Sequence, residues 1–128
     1  MIRKVFLYLV LLTLLAAPVM AAGVQKSDFE VKTTQSLINL CTASPEDPLF
    51  THAANFCHGY LVGAFHYYAA SVAGENAARF VCLPENRPSR DNIIAMFVKW
   101  AQDHPQYMNE LPVETEFRFL GEKWPCMQ

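Results

Sequence analysis

The sequence predicts an all-α fold: a small four-helix-type bundle stapled by two disulfides, with a long central helix that is poor in charge. Apolar residues recur at helical spacing in four segments, whereas the alternation typical of strands is brief. The 4 cysteines, an even number, all follow a segment with the features of an export signal, and this favours disulfides. We therefore expect one helical domain over residues 23–128.

Residues 1–22 have the pattern of a cleaved signal peptide. A positively charged start precedes an apolar run over residues 5–17, and small residues near Ala22 offer cleavage sites. The run is short for a membrane span, and no cysteine follows it until Cys41, so a lipid anchor is not expected. We expect a soluble, exported periplasmic protein without a stable membrane anchor after cleavage.

Charge argues against a nucleic-acid partner. Two of the 10 Lys and Arg lie in the predicted signal, which leaves 8 basic against 12 acidic side chains in the rest of the chain. No cluster of Lys and Arg is present there, as binding to nucleic acid or anionic lipid would favour.

The cysteines are Cys41, Cys57, Cys82 and Cys126. Three pairings are open, and we favour Cys41–Cys57 with Cys82–Cys126, because the second pair would fasten the C-terminus. The chain has no Cys-x-x-Cys motif, so no metal site is expected.

The first helix is expected from Thr34 to about Thr42, with Leu37, Ile38 and Cys41 on its buried face. Residues 29–32 alternate briefly and are expected to be an extended lead-in. Prolines in the following loop, residues 44–48, end the helix.

The second helix is expected from about Leu49 to Ala73. No Lys, Arg, Asp or Glu occurs between Thr51 and Ser71, which predicts a helix surrounded by protein, in the centre of the bundle or in a dimer contact. Gly59 and Gly63 lie on one face, and glycine is costly inside a helix. We expect another backbone to approach there, either a helix of the same chain or a second copy.

The third helix should begin after an N-cap at Ser89 and run to about Asp103. The last helix should begin near Leu111, because Pro112 is tolerated only in a first turn. Its buried face is expected to consist of Val113, Phe117, Leu120 and Trp124. Glu116 is expected to face solvent, as are Glu114, Arg118 and Glu122.

No catalytic constellation or cofactor motif is apparent. The four histidines are separated by 6, 8 and 38 positions, which is not the spacing of a helical zinc pair. No glycine-rich phosphate loop is present. We expect a protein that is not an enzyme and that has no catalytic residue, metal or cofactor.

The segment from Cys57 to Gly63, which includes Gly59 and Tyr60, resembles the Cys-x-Gly-Tyr-Leu-x-Gly signature of Rap/Tai-type immunity proteins. Leu-x-x-Leu-Cys ending at Cys41 precedes the segment. Cys-x-Pro at Cys82, Trp100 with His104–Pro105, and the Trp-Pro-Cys end at Cys126 follow it. The likeness covers roughly residues 37–126.

This resemblance implies a helical, disulfide-bonded periplasmic protein that can pair as a homodimer. It also implies a protein partner, a peptidoglycan amidase effector of a type VI secretion system. Inhibition would be steric, with the immunity protein covering the catalytic groove. In that case Gly59, Tyr60 and Gly63 serve the fold rather than the partner.

For partner binding we favour Glu85, Asn86, Arg87 and Arg90, in a polar loop that two prolines bound. A plain solvated connector is the alternative interpretation of this loop. Two other functions remain open: a small periplasmic stress chaperone, or an accessory subunit of an envelope complex.

Overall fold

The computed structural model describes residues 23–127, so the predicted signal peptide lies outside the described residues. Four α-helices follow one another: α1 (Thr34–Cys41), α2 (Phe50–Ser71), α3 (Arg90–Asp103) and α4 (Pro112–Lys123). Short 3₁₀ helices, Lys26–Glu30 and Pro105–Tyr107, precede α1 and α4. The described part of the chain has no strand, only an isolated bridge between Val81 and Pro125. The all-α four-helix prediction is confirmed.

Local signals set the ends of the helices. The hydroxyl of Ser89 accepts a hydrogen bond from the amide of Asn92, as expected for the N-cap of α3. Pro112 occupies the first turn of α4, where its missing N–H costs nothing. The predicted helix boundaries are correct to within about two residues, the usual uncertainty of such ends.

The expected extended lead-in is wrong, because Lys26–Glu30 forms a 3₁₀ helix. The cause is Asp28, which is buried and accepts hydrogen bonds from the Gln25 amide at 2.9 Å and from the Asn39 side chain at 3.0 Å. These bonds hold a tight turn against α1. The partner on α1 is distant in sequence, so local alternation could not reveal it.

The core lies where the four helices meet. Leu37 and Leu40 of α1, Phe97 of α3 and Phe119 of α4 are almost fully buried. The rings of Phe97 and Phe119 pack with centroids 5.9 Å apart. Helix α2 contributes Ala53, Cys57 and Leu61 to the same core.

Both favoured disulfides are present. Cys41–Cys57 joins α1 to α2, and Cys82–Cys126 joins the segment before α3 to the end of the chain. Two backbone hydrogen bonds support the second link: Cys82 donates to the Trp124 carbonyl at 2.9 Å and Cys126 donates to the Phe80 carbonyl at 3.3 Å.

The described residues do not enclose α2. Tyr67 is 79% exposed and Phe56 is 36% exposed, and Gly59 and Gly63 also lie on the outer face. The prediction that this chain surrounds the helix is therefore wrong for residues 23–127. The missing charges mark an exposed uncharged face, and a second copy remains the open interpretation of it.

Candidate partner-binding site

A cavity of about 490 Å³ opens between α2, α3, α4 and the loop before α3. The helices supply its walls with aliphatic and aromatic side chains, among them Leu61, Phe65, Ile94, Phe97, Phe119 and Leu120. Pockets of this size and character are typical of binding sites. We call it the interhelical pocket.

The predicted partner-binding loop forms one wall of the interhelical pocket. Glu85, Arg87 and Arg90 all line it and are all exposed, while Asn86 is exposed but is not among the lining residues. Arg87 donates its backbone amide to the Pro84 carbonyl at 3.2 Å, which closes a turn. The structure thus brings three of the four predicted residues together at one pocket.

The loop is fastened at its start. The hydroxyl oxygen of Tyr68 on α2 accepts hydrogen bonds from the amides of Phe80 at 3.0 Å and Val81 at 2.9 Å. Cys82, the next residue, is held by its disulfide to Cys126. The pocket wall is therefore attached both to α2 and to the end of the chain.

Glu116 is the lining residue that the sequence prediction placed wrongly. It was expected to face solvent, but it is only 4% exposed and lines the interhelical pocket. The buried face of α4 consists of Pro112, Thr115, Glu116, Phe119 and Leu120. Phe119 packs into the core, whereas Val113 and Phe117 are only half-buried. The helix is therefore rotated about its axis relative to the predicted orientation, and Glu116 lies on the buried side.

The environment of Glu116 disfavours its charge. Within residues 23–127 its Oε2 atom has no hydrogen-bond partner. Burial raises the pKa of Glu116 to about 8, because a carboxylate loses hydration in apolar surroundings. The carboxyl group is therefore largely protonated at neutral pH.

The pKa of Tyr60 depends in part on this carboxyl group. Its pKa is raised, first by burial and then by the negative charge that Glu116 would carry, while the Val113 backbone counteracts part of the effect. The signature tyrosine thus lies near the first turns of α4 and is not among the residues that line the pocket. It is half-buried, in keeping with a role in the fold.

The model of the Rap1a immunity protein family matches residues 33–126. The match includes all four helices, both disulfides and the interhelical pocket. The chain belongs to the Rap1a immunity protein family. As an immunity protein of this family, it is expected to bind a protein effector through its surface. No curated protein and no solved structure gives a significant match.

The glycines of this Rap1a-family protein lack the predicted close neighbour. A Cβ atom added at Gly59 or Gly63 would meet no heavy atom of the described chain within 4 Å. The prediction that a helix of the same chain packs closely against them is wrong. Both glycines lie on the outer face of α2, away from the core.

Residues 23–127 of this immunity protein contain neither a membrane-spanning helix nor a cluster of metal ligands. None of its helices there is long and apolar enough to span a membrane. Between residues 23 and 127, no group of three or more His, Cys, Asp or Glu side chains is placed to hold a metal ion.

Proposed function

We propose that this protein is a periplasmic immunity protein that binds a peptidoglycan amidase effector of a type VI secretion system and inhibits it sterically. The observation that carries the proposal is the family match over residues 33–126. Steric inhibition requires a shaped surface rather than a catalytic group. The interhelical pocket and its polar loop form such a concave surface among the described residues.

The periplasm is supported by two independent features. Residues 1–22 have the pattern of a signal peptide, and all four cysteines beyond them form disulfides, which persist in oxidising compartments. We propose that the signal is removed and that residues 23–128 act as one domain.

A protection assay tests this function. Cells that export a candidate amidase effector to their own periplasm should lyse, and the full-length chain should prevent lysis. A chain without residues 1–22 should give no protection, because it stays in the cytoplasm. Purified protein should also block peptidoglycan hydrolysis by that amidase at a one-to-one ratio.

Failure to bind or inhibit any candidate amidase would contradict the proposal. An acid-stress chaperone would instead suppress aggregation of unrelated proteins and expose apolar surface at low pH. The same purified protein, mixed with aggregating client proteins at neutral and acidic pH, distinguishes these functions.

We also propose that two copies pair through the outer face of α2. The face is uncharged, and the open space beside Gly59 and Gly63 would let a second helix approach closely. Tyr67 and Phe56 would lose their exposure in such a pair.

A further inference from the structure

One polar group, Glu116, lies among the aliphatic and aromatic residues that the helices supply to the interhelical pocket. The other polar residues that line it are His66, Glu85, Arg87, Ser89 and Arg90. Glu116 on α4 lines the pocket together with Phe97, Phe119 and Leu120, and its Oε2 atom has no partner among the described residues. A buried carboxyl oxygen without a hydrogen bond is unfavourable. Because Oε2 is shut off from solvent, an occupant of the pocket would hydrogen-bond to Glu116 through Oε1. Such an occupant replaces water at that oxygen and gains more than one that is wholly apolar.

A hydroxyl group fits Glu116 in both of its ionisation states. It can accept a hydrogen bond from the protonated carboxyl group and donate one to the carboxylate. The apolar walls require that this hydroxyl be carried on an apolar body. Tyrosine has this combination, a large ring with a polar tip.

The mouth of the pocket argues against a cationic occupant. Arg87 and Arg90 both line it and are exposed, and Glu85 is the acidic residue beside them. Two guanidinium groups repel an entering lysine and attract carboxylates. The segment that enters should therefore be acidic on either side of the inserted side chain.

We propose that the interhelical pocket receives a tyrosine side chain from an acidic segment of the partner protein, with its hydroxyl bonded to Glu116 and its acidic neighbours paired with Arg87 and Arg90. The inference rests on the proposed function in taking the partner to be a protein effector. Tyrosine is among the residues that dominate binding energy at protein interfaces. The pocket would bind the tyrosine side chain, and the loop would favour acidic residues on either side of it.

Three blocked tripeptides test the pocket without an effector: Asp-Tyr-Asp, Asp-Phe-Asp and Asp-Lys-Asp. Each is titrated into the oxidised, signal-free protein while the backbone amide signals are followed by NMR. The tyrosine peptide should shift the signals of Ile94, Phe119 and Leu120. It should bind about tenfold more tightly than the phenylalanine peptide, as one added hydrogen bond to a buried group would give.

Variants assign the contacts. Glu116→Leu should remove the preference for tyrosine over phenylalanine, whereas Glu116→Gln, which can still hydrogen-bond, should keep part of it. Arg87→Glu should weaken both acidic aromatic peptides alike. Glu114→Gln, on the exposed face of the same helix, and Lys26→Glu, on the exposed 3₁₀ helix, are the matched controls and should change nothing.

Three results would overturn the inference: tightest binding of the lysine peptide, no shift of pocket signals by any peptide at about 10 mM, roughly ten times the dissociation constant of a weak millimolar ligand, or pocket signals that move on protein dilution alone. The last would assign the pocket to a second copy. Because no amidase takes part, failure here leaves the proposed function standing. Selective tyrosine binding without inhibition of any amidase would support the inference about the pocket and contradict the proposal that the partner is an amidase.

Discussion

The side-chain oxygens of Thr34 and Thr115 lie 2.7 Å apart, and both residues are fully buried. This contact joins α1 to α4 across 81 positions of sequence. Each hydroxyl also lies near a backbone acceptor, the Glu110 carbonyl at 3.2 Å from Thr34 and the Tyr107 carbonyl at 3.4 Å from Thr115. A polar pair inside the core thus fixes how the first and last helices meet.

Replacing one member of this pair should destabilise the protein. Thr115→Val should lower the free energy of unfolding by about 1–2 kcal/mol, because Thr34 loses a buried partner. Urea denaturation measures the effect, and Thr51→Val at an exposed position should change stability by less than about 0.5 kcal/mol. The double variant with Thr34→Val should lose less than the sum of the single losses. Strict additivity would contradict coupling between the two hydroxyls.

The buried carboxyl group of Glu116 should make stability depend on pH. Its pKa is about 8 in the folded protein, well above that of an unfolded glutamate, so the folded state binds the proton more tightly. The free energy of unfolding should therefore fall as pH rises from about 5 to 8. Below the pKa of the unfolded glutamate, Glu116 is protonated in both states, so pH no longer changes stability through this group. Tyr60 on α2 is the titratable group that Glu116 affects, and the other charged or titratable groups that line the same pocket are His66 on α2, Glu85 and Arg87 in the loop, and Arg90 on α3.

Glu116→Gln isolates this contribution, because it removes the titration and leaves the other groups. Relative to the wild type, the variant should gain about 3 kcal/mol of stability between pH 5 and 8, as an upper figure for a shift of this size. Denaturation curves across this range give the difference. Parallel curves for the two proteins would show that Glu116 titrates normally. Glu114→Gln is the control for loss of a carboxylate from the same helix.

The hydroxyl of Tyr68 should protect the start of the pocket loop. Tyr68→Phe leaves the amides of Phe80 and Val81 without their acceptor, and Val81 is buried, so we expect a loss of about 1–3 kcal/mol. Hydrogen exchange should accelerate at these two amides. The Cys82 amide, which donates to Trp124, provides an internal reference, and Tyr67→Phe at an exposed position is the matched control. Unchanged exchange at Val81 would contradict the assignment.

Alanine at Gly59 and Gly63 distinguishes a free helix face from a dimer seam. Each substitution should stabilise an isolated chain by about 1 kcal/mol, because alanine favours helix and no described atom obstructs the new methyl group. If two copies pair here, the same methyl groups should weaken the dimer. Analytical ultracentrifugation measures this as a larger dissociation constant. A monomer at all concentrations would exclude the pairing.

The sequence carried enough local information to predict the helices. Pro112 and Ser89 act through their own backbone and side-chain chemistry, so their effects on helix ends do not depend on the rest of the fold. The polar loop with Arg87 and Arg90 was also identifiable, because its prolines and charges are local features. That the loop would border the interhelical pocket was not identifiable from the sequence.

The features that the sequence predicted wrongly depend on tertiary contacts. The buried face of α4 includes both Phe119 and Glu116, and the alternative stripe through Phe117 was an equally good helical pattern. The prediction for the outer face of α2 was wrong for a related reason. A lack of charge predicts contact with protein, but it does not say whether that protein is the same chain or a second copy. Glu116 could have been suspected from its position three residues before Phe119, on the same face of the helix.

The link between Cys82 and Cys126 bears on when the protein becomes competent. Cys82 directly precedes the pocket loop, so oxidation of two thiols fastens the wall that carries Arg87 to the end of the chain. In a reducing compartment this disulfide would be absent, and the start of the loop would be held by its hydrogen bonds to the Tyr68 hydroxyl and the Trp124 carbonyl. If the protein is exported as proposed, this link would form only after the chain leaves the cytosol, so export and completion of the pocket wall would coincide.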